Sequence, residues 1–172
     1  MENGMKKQEE KNNPIVRLFF VVYCACMLYL LFVRGRAVQS ELPYWEQVLQ
    51  NYNLRPLHTI RNYWDVLARP EHYLDKWGAM AIYREQAKAA IVNLVGNVVL
   101  FIPLGVFLPM CFPTLKKFWS VMLTALGALL AVEIGQLLSL RGSCDVDDLI
   151  LNMAGVLLGF VCWKLVAGRK RK

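Results

Sequence analysis

Residues 89–112 read AAIVNLVGNVVLFIPLGVFLPMCF, a long apolar run broken only by Asn93, Asn97 and two prolines, Pro103 and Pro109. A helix rises about 1.5 Å per residue, and a bilayer core near 30 Å takes about 20 such residues. The run therefore has the length of a membrane crossing. Three others share its character: Ile15–Val33, Phe118–Leu140 and residues 149–167. An open sheet would leave edge groups unpaired in lipid, whereas a helix satisfies its own backbone. The fold expected is all-α: a polytopic membrane protein whose four transmembrane helices form one bundle.

The whole chain agrees. Its 172 residues make one compact unit, 56% hydrophobic and only 19% charged. Soluble domains carry about 25% charged residues. The apolar excess excludes intrinsic disorder. Cys24, Cys26, Cys111 and Cys162 lie inside apolar runs, where a thiol acts as a small hydrophobe, so no disulfide scaffold is implied. Cys144 alone occupies a polar connection, with Arg141 the one basic residue near enough to activate it.

Basic flanks set the expected orientation. The head 1–13 carries Lys6, Lys7 and Lys11, the link 114–117 carries Lys116 and Lys117, and the tail 168–172 reads GRKRK. Four crossings place all three on one side, which the positive-inside rule makes cytoplasmic, with both termini. The first run is too long for a signal peptide, and Arg34 and Arg36 follow it in place of a cleavage site. It reads as a retained anchor. The basic tail suits anionic lipid better than nucleic acid, for which no aromatic-interleaved basic surface is present.

The connection 34–88 carries eight basic and six acidic residues and would be extracytoplasmic. It holds Tyr44, Trp45, Tyr52, Tyr63, Trp64, Tyr73, Trp77 and Tyr83, rings suited to the headgroup level. Residues 57–67 fit an amphipathic helix with Ile60, Trp64 and Leu67 on one stripe, lying on the membrane surface or capping the bundle.

Polar side chains inside spans are costly and require partners. Asn93 and Asn97 are spaced i, i+4; Glu133 and Gln136 are spaced i, i+3; Asp145, Asp148 and Asn152 follow i, i+3, i+7, with Asp147 directed elsewhere. By connectivity alone Asn97, Glu133 and Asn152 each lie roughly 10–12 Å in from the connection side. Convergence would build one polar pocket open to that side, with Arg141 at its edge. Gly155 and Gly159 form a G-x-x-x-G, and Gly96, Gly127 and Gly135 offer further close contacts. Pro103 frees a carbonyl near Val99 and allows a kink.

Two readings of the pocket compete. In one it is a clasp of interhelical hydrogen bonds in which Arg141 neutralises Asp145 or Glu133. In the other it is a binding or reaction site. Interhelical bonds in lipid average under about 1 kcal/mol, so a clasp alone has little need of so many polar groups. The expected binding set is Asn93, Asn97, Glu133, Gln136, Arg141, Asp145, Asp148 and Asn152. Carboxylates with amide oxygens also suit a hard divalent cation, against which Arg141 would compete, with no histidine in reach. His58 and His72 read as interfacial. No metal or cofactor is expected.

Four segments share a further property. NLVGNVVLFIPLGVFLP (93–109), EIGQ (133–136) and RGSCDVDDLILNMAGVLLG (141–159) resemble the signature of the VanZ-like membrane proteins, and NLRPLHTI (53–60) resembles the segment before their second helix. The family's proline and glycine map to Pro103 and Gly105, its glutamate and glutamine to Glu133 and Gln136. Its arginine, aspartates, asparagine and glycine map to Arg141, Asp145, Asp148, Asn152 and Gly155. Leu57 departs from the pattern, where an aromatic is common. The resemblance implies a bacterial plasma-membrane location and an envelope role. Its namesake confers low-level resistance to teicoplanin, a glycopeptide acting on the envelope of Gram-positive bacteria. It supplies no established reaction.

Function classes follow. The first is a binding or protective protein whose outward pocket holds an envelope precursor or alters glycopeptide access among membrane lipids. The second is an enzyme on a lipid-linked or cell-wall precursor head group, with Glu133 and Asp148 as acid and base; no nucleophile motif or phosphate loop supports a named reaction. A transporter fits less well, because four helices without an internal repeat are few for alternating access and the polar residues stop halfway.

Overall fold

The computed structural model describes residues 14–33, 41–78 and 80–169. The head 1–13, Arg34, Arg36 and the last three basic residues lie outside the described residues. Nine elements follow in chain order. They are α1 (Pro14–Leu28, continued by a π-helical turn Tyr29–Val33), α2 (Tyr44–Gln50), β1 (Tyr52–Asn53), α3 (His58–Ala68), α4 (Pro70–Trp77), α5 (Met80–Cys111), α6 (Phe118–Ser139), β2 (Cys144–Asp145) and α7 (Val146–Arg169). Among the described residues four helices are long and apolar enough to cross a membrane: Pro14–Val33, Met80–Cys111, Phe118–Ser139 and Val146–Ala167. The four-helix polytopic architecture is as the apolar runs imply.

Two of the helices run beyond the apolar stretches. α5 begins at Met80, not residue 89. Residues 80–88 (MAIYREQAK) are strong helix formers but partly charged, so apolar counting assigns them to the connection. At 32 residues α5 is about 48 Å long, longer than the roughly 30 Å thickness of a bilayer core. α7 starts at Val146 and runs to Arg169, beyond the expected 149–167. Asp145 caps its start by accepting the Asp147 amide at 2.8 Å, and Asp147 and Asp148 occupy the first turn, where the helix dipole favours anions.

α5 and α7 share the most extensive contact in the bundle. A Cβ on Gly105 would lie 2.0 Å from the Val156 carbonyl oxygen, on Gly155 2.2 Å from that of Val98, and on Gly159 2.0 Å from that of Ile102. Bare backbone at those positions lets the two helices touch. The G-x-x-x-G expectation holds, with Gly105 as the third member. Gly135 packs against Phe32, but Gly96 and Gly127 contact no neighbouring helix and are not the close-contact points expected. Met27, Phe101, Leu108, Val121, Ala125, Leu129, Val156 and Phe160 fill the centre. α1 lies at the side, its Phe20 and Tyr23 rings against Phe107 and the Tyr23 hydroxyl donating to the Leu100 carbonyl at 2.9 Å.

The connection is fastened to the bundle. β1 and β2 pair in parallel, Tyr52 opposite Cys144 and Asn53 opposite Asp145, and the Asn51 side chain donates to the Gly142 carbonyl at 2.5 Å. α3 forms where the amphipathic segment is expected and packs against α5. Ile60 and Leu67 are half-buried there, while Trp64 is exposed.

Candidate functional site

Each polar group reaches the connection side by a separate local cause. α6 ends at Leu140, held in the left-handed region at φ 53°, and the Arg141 amide donates back to the Gln136 carbonyl at 3.1 Å. This tight stop turns the chain towards β2. The amide of Asp145 then donates to Glu133 Oε2 at 3.3 Å. The Gln136 amide reaches across to the Leu31 carbonyl at 3.2 Å, an acceptor left over in the last turn of the α1 π-helical segment. On the next helix Asn97 Nδ2 donates to Asp148 Oδ1 at 2.6 Å.

These side chains surround a cavity of about 270 Å³ lined by Asn97, Glu133, Gln136, Arg141, Asp148 and Asn152, with Leu30 and Leu31 of α1 on its apolar wall. Glu133 is 4% exposed and Asn152 5% exposed. Asn152 Oδ1 has no hydrogen-bond partner. A buried polar atom without a partner costs about 1–3 kcal/mol, so this oxygen marks a place where a donor belongs. Two carboxylates share the same space, and Glu133 and Asp148 interact electrostatically.

Arg141 lines the cavity and is exposed. Among the described residues it forms no ion pair with Glu133 or Asp145, contrary to the clasp expectation. An ion pair among them is Arg69–Asp65 at 3.7 Å, exposed at the end of α3. The Arg141 guanidinium is thus available at the cavity mouth. No group of three or more His, Cys, Asp or Glu side chains is placed to hold a metal among the described residues.

Two members of the expected set lie apart from this cavity. Asn93 donates to the Tyr63 hydroxyl at 3.1 Å and to the Ala89 carbonyl at 3.3 Å. One helical turn nearer the surface than Asn97, it meets α3. Asp145 belongs to the strand pair and accepts the Thr59 hydroxyl at 2.7 Å and both Asn53 Nδ2 contacts at 3.3 Å. It lines a second, more open hollow of about 510 Å³ with Asn53, Arg55, His58, Thr59, Asn62 and Tyr63.

Asp147 does point away from the stripe, and its role is structural on the largest scale. Fully buried, it accepts the amides of Leu57 at 2.5 Å, Thr59 at 2.7 Å and Ile60 at 3.0 Å. These are the free donors at the start of α3, whose N-cap Leu57 has no capping side chain and sits at φ 62°. A helix entered through leucine lacks an acceptor of its own. That deficit is the sequence signal which points to a carboxylate elsewhere in the chain.

Cavity, crossing and fastened connection together define a multi-pass helical membrane protein with a polar chamber confined to one side. The sequence matches the VanZ/LLP1 family over residues 20–167, and the chain belongs to that family. No curated protein and no solved structure matches it.

Proposed function

We propose that this protein resides in a bacterial plasma membrane with its termini cytoplasmic and its connection outside, and that the chamber holds a polar head group of an envelope component. Sequestering or presenting that component changes the response to teicoplanin-type glycopeptides. One observation carries the binding reading: an unpartnered acceptor, Asn152 Oδ1, stands in the same cavity as two carboxylates and a free guanidinium. A clasp made for stability alone would close such groups on one another.

The test is expression in a glycopeptide-sensitive Gram-positive host. Glu133→Gln and Asp148→Asn are expected to abolish any gain in teicoplanin tolerance at undiminished membrane abundance. Full tolerance in both variants would remove the chamber from the function. Mass spectrometry of membrane lipids and cell-wall precursors incubated with purified protein addresses catalysis, for which Glu133 and Asp148 would serve as acid and base. A new product that disappears with Glu133→Gln would make the protein an enzyme.

A further inference from the structure

The uncommitted atoms of the chamber describe the charge pattern of its occupant. At the inner end two carboxylate oxygens are open to accept, Asp148 Oδ2, its other oxygen being taken by Asn97, and Glu133 Oε1, its other oxygen facing the Asp145 amide; beside them Asn152 Oδ1 is buried and unpartnered. The nearby amides each have one of their two donors engaged, Gln136 on the Leu31 carbonyl and Asn97 on Asp148. An inner wall of acceptors carrying two carboxylates suits a cation with several N–H donors. A primary ammonium has three donors and no acceptor. At the mouth the situation reverses, since Arg141 is exposed and without an ion pair among the described residues. Its planar fork matches a carboxylate or phosphate.

We infer that the chamber binds a compact zwitterion, with its primary ammonium among Glu133, Asp148 and Asn152 and its anionic group on Arg141. This rests on the binding reading above and names its ligand class. The size agrees. About 270 Å³ holds on the order of nine waters at about 30 Å³ each, enough for an amine, a short carbon link and one anionic group, and too little for a peptide or a whole lipid. Both an aminophospholipid head group and a free amino acid or phosphoethanolamine have this chemistry.

The experiment uses the full chain in nanodiscs of phosphatidylglycerol alone, titrated calorimetrically. Phosphoethanolamine and glycine are expected to saturate. Phosphocholine, with the same charges but no N–H donor, is expected to bind at least tenfold more weakly. Arg141→Gln, at an exposed position, should weaken phosphoethanolamine about tenfold and leave ethanolamine unchanged. Asn152→Leu should weaken both. Adding phosphatidylethanolamine to the bilayer shifts the titration if the lipid is the source; an unshifted curve assigns a soluble zwitterion. Equal binding of phosphocholine, an equal effect of Arg141→Gln on ethanolamine, saturation by Mg²⁺ or Ca²⁺ in place of amines, or no saturation at millimolar concentration would each overturn the inference. Tolerance lost in Glu133→Gln without zwitterion binding overturns this ligand class alone. Zwitterion binding with tolerance intact in both carboxylate variants overturns the glycopeptide reading alone.

Discussion

The amide of Thr59 donates to Asp147 at 2.7 Å across 88 positions of chain, while the hydroxyl of the same threonine donates to Asp145 at 2.7 Å. One residue of the connection thus engages two of the three aspartates at the start of the last helix. A carboxylate that takes three amides at a helix start combines charge-assisted hydrogen bonding with a favourable dipole.

Asp147→Ala is expected to lower stability by about 3 kcal/mol, since three donors at the start of α3 lose their acceptor together. Asp147→Asn keeps the shape but not the charge, so about half that loss is expected. Thermal unfolding in detergent measures the stability. Limited trypsin digestion reports where it is lost, with new cleavage at Arg61, since Arg55 precedes a proline. A variant as resistant as the parent at Arg61 would show that α3 is held by other contacts.

The helix crossing predicts a contrast among glycines. Gly105→Ala, Gly155→Ala and Gly159→Ala each drive a methyl into a backbone carbonyl of the facing helix, and an overpacked contact of this kind costs about 2 kcal/mol or more. Gly127→Ala meets nothing within 4 Å and gains helix propensity worth up to about 1 kcal/mol. Melting temperatures of the four variants in one detergent should fall into these two groups. A uniform response would contradict the crossing geometry.

Spans and family motifs were legible because each depends on local pattern. Apolar length marks a crossing wherever it occurs, and the spacings of Glu133 with Gln136 and of Asp148 with Asn152 are readable along one helix. The fastening of the connection was not legible. The pair Tyr52–Asn53 opposite Cys144–Asp145 is too short for a strand pattern, and a carboxylate such as Asp147 carries no mark of which distant amides it receives. Asn93 shows the limit of periodicity in the other direction. It shares a face with Asn97, yet a difference of one turn in height gives it Tyr63 instead of the chamber.

The Asn97–Asp148 bond of 2.6 Å is the direct link between α5 and α7 inside the chamber. Asn97→Ala should cost about 2 kcal/mol, the range for a hydrogen bond to a charged group. Exchanging the pair, Asn97→Asp with Asp148→Asn, restores one donor and one acceptor. The double variant is therefore expected to recover at least half of the loss caused by either single change. A double-mutant cycle with coupling near zero would rule the bond out as a stabilising contact.

Cys144 lies outside the spans, and burial, with the adjoining negative charges of Glu133 and Asp145, pushes its thiol above the ordinary range. The thiolate is the reactive form. Alkylation by N-ethylmaleimide at pH 8, followed by peptide mapping, should therefore be slower at Cys144 than in the unfolded chain. Glu133→Gln removes one of the charges and should speed the reaction about two- to fivefold. The sign for stability follows from the raised value. The folded state holds the proton more tightly, so this contribution is complete below the ordinary thiol range and is lost as pH rises through the folded value. Fast alkylation in the parent, or no change in Glu133→Gln, would contradict this electrostatic environment.

The parallel bridge also orders events during synthesis. Tyr52 and Asn53 leave the ribosome long before Cys144 and Asp145, with two spans made in between. Until residues 144–147 are made, the connection has no counterpart to grip, and α3 has nothing to receive its amides. The connection is therefore the last part to mature, although it is translated early. A chain halted before residue 144 presents the connection unfastened, exposed to any protease that inspects newly inserted membrane proteins.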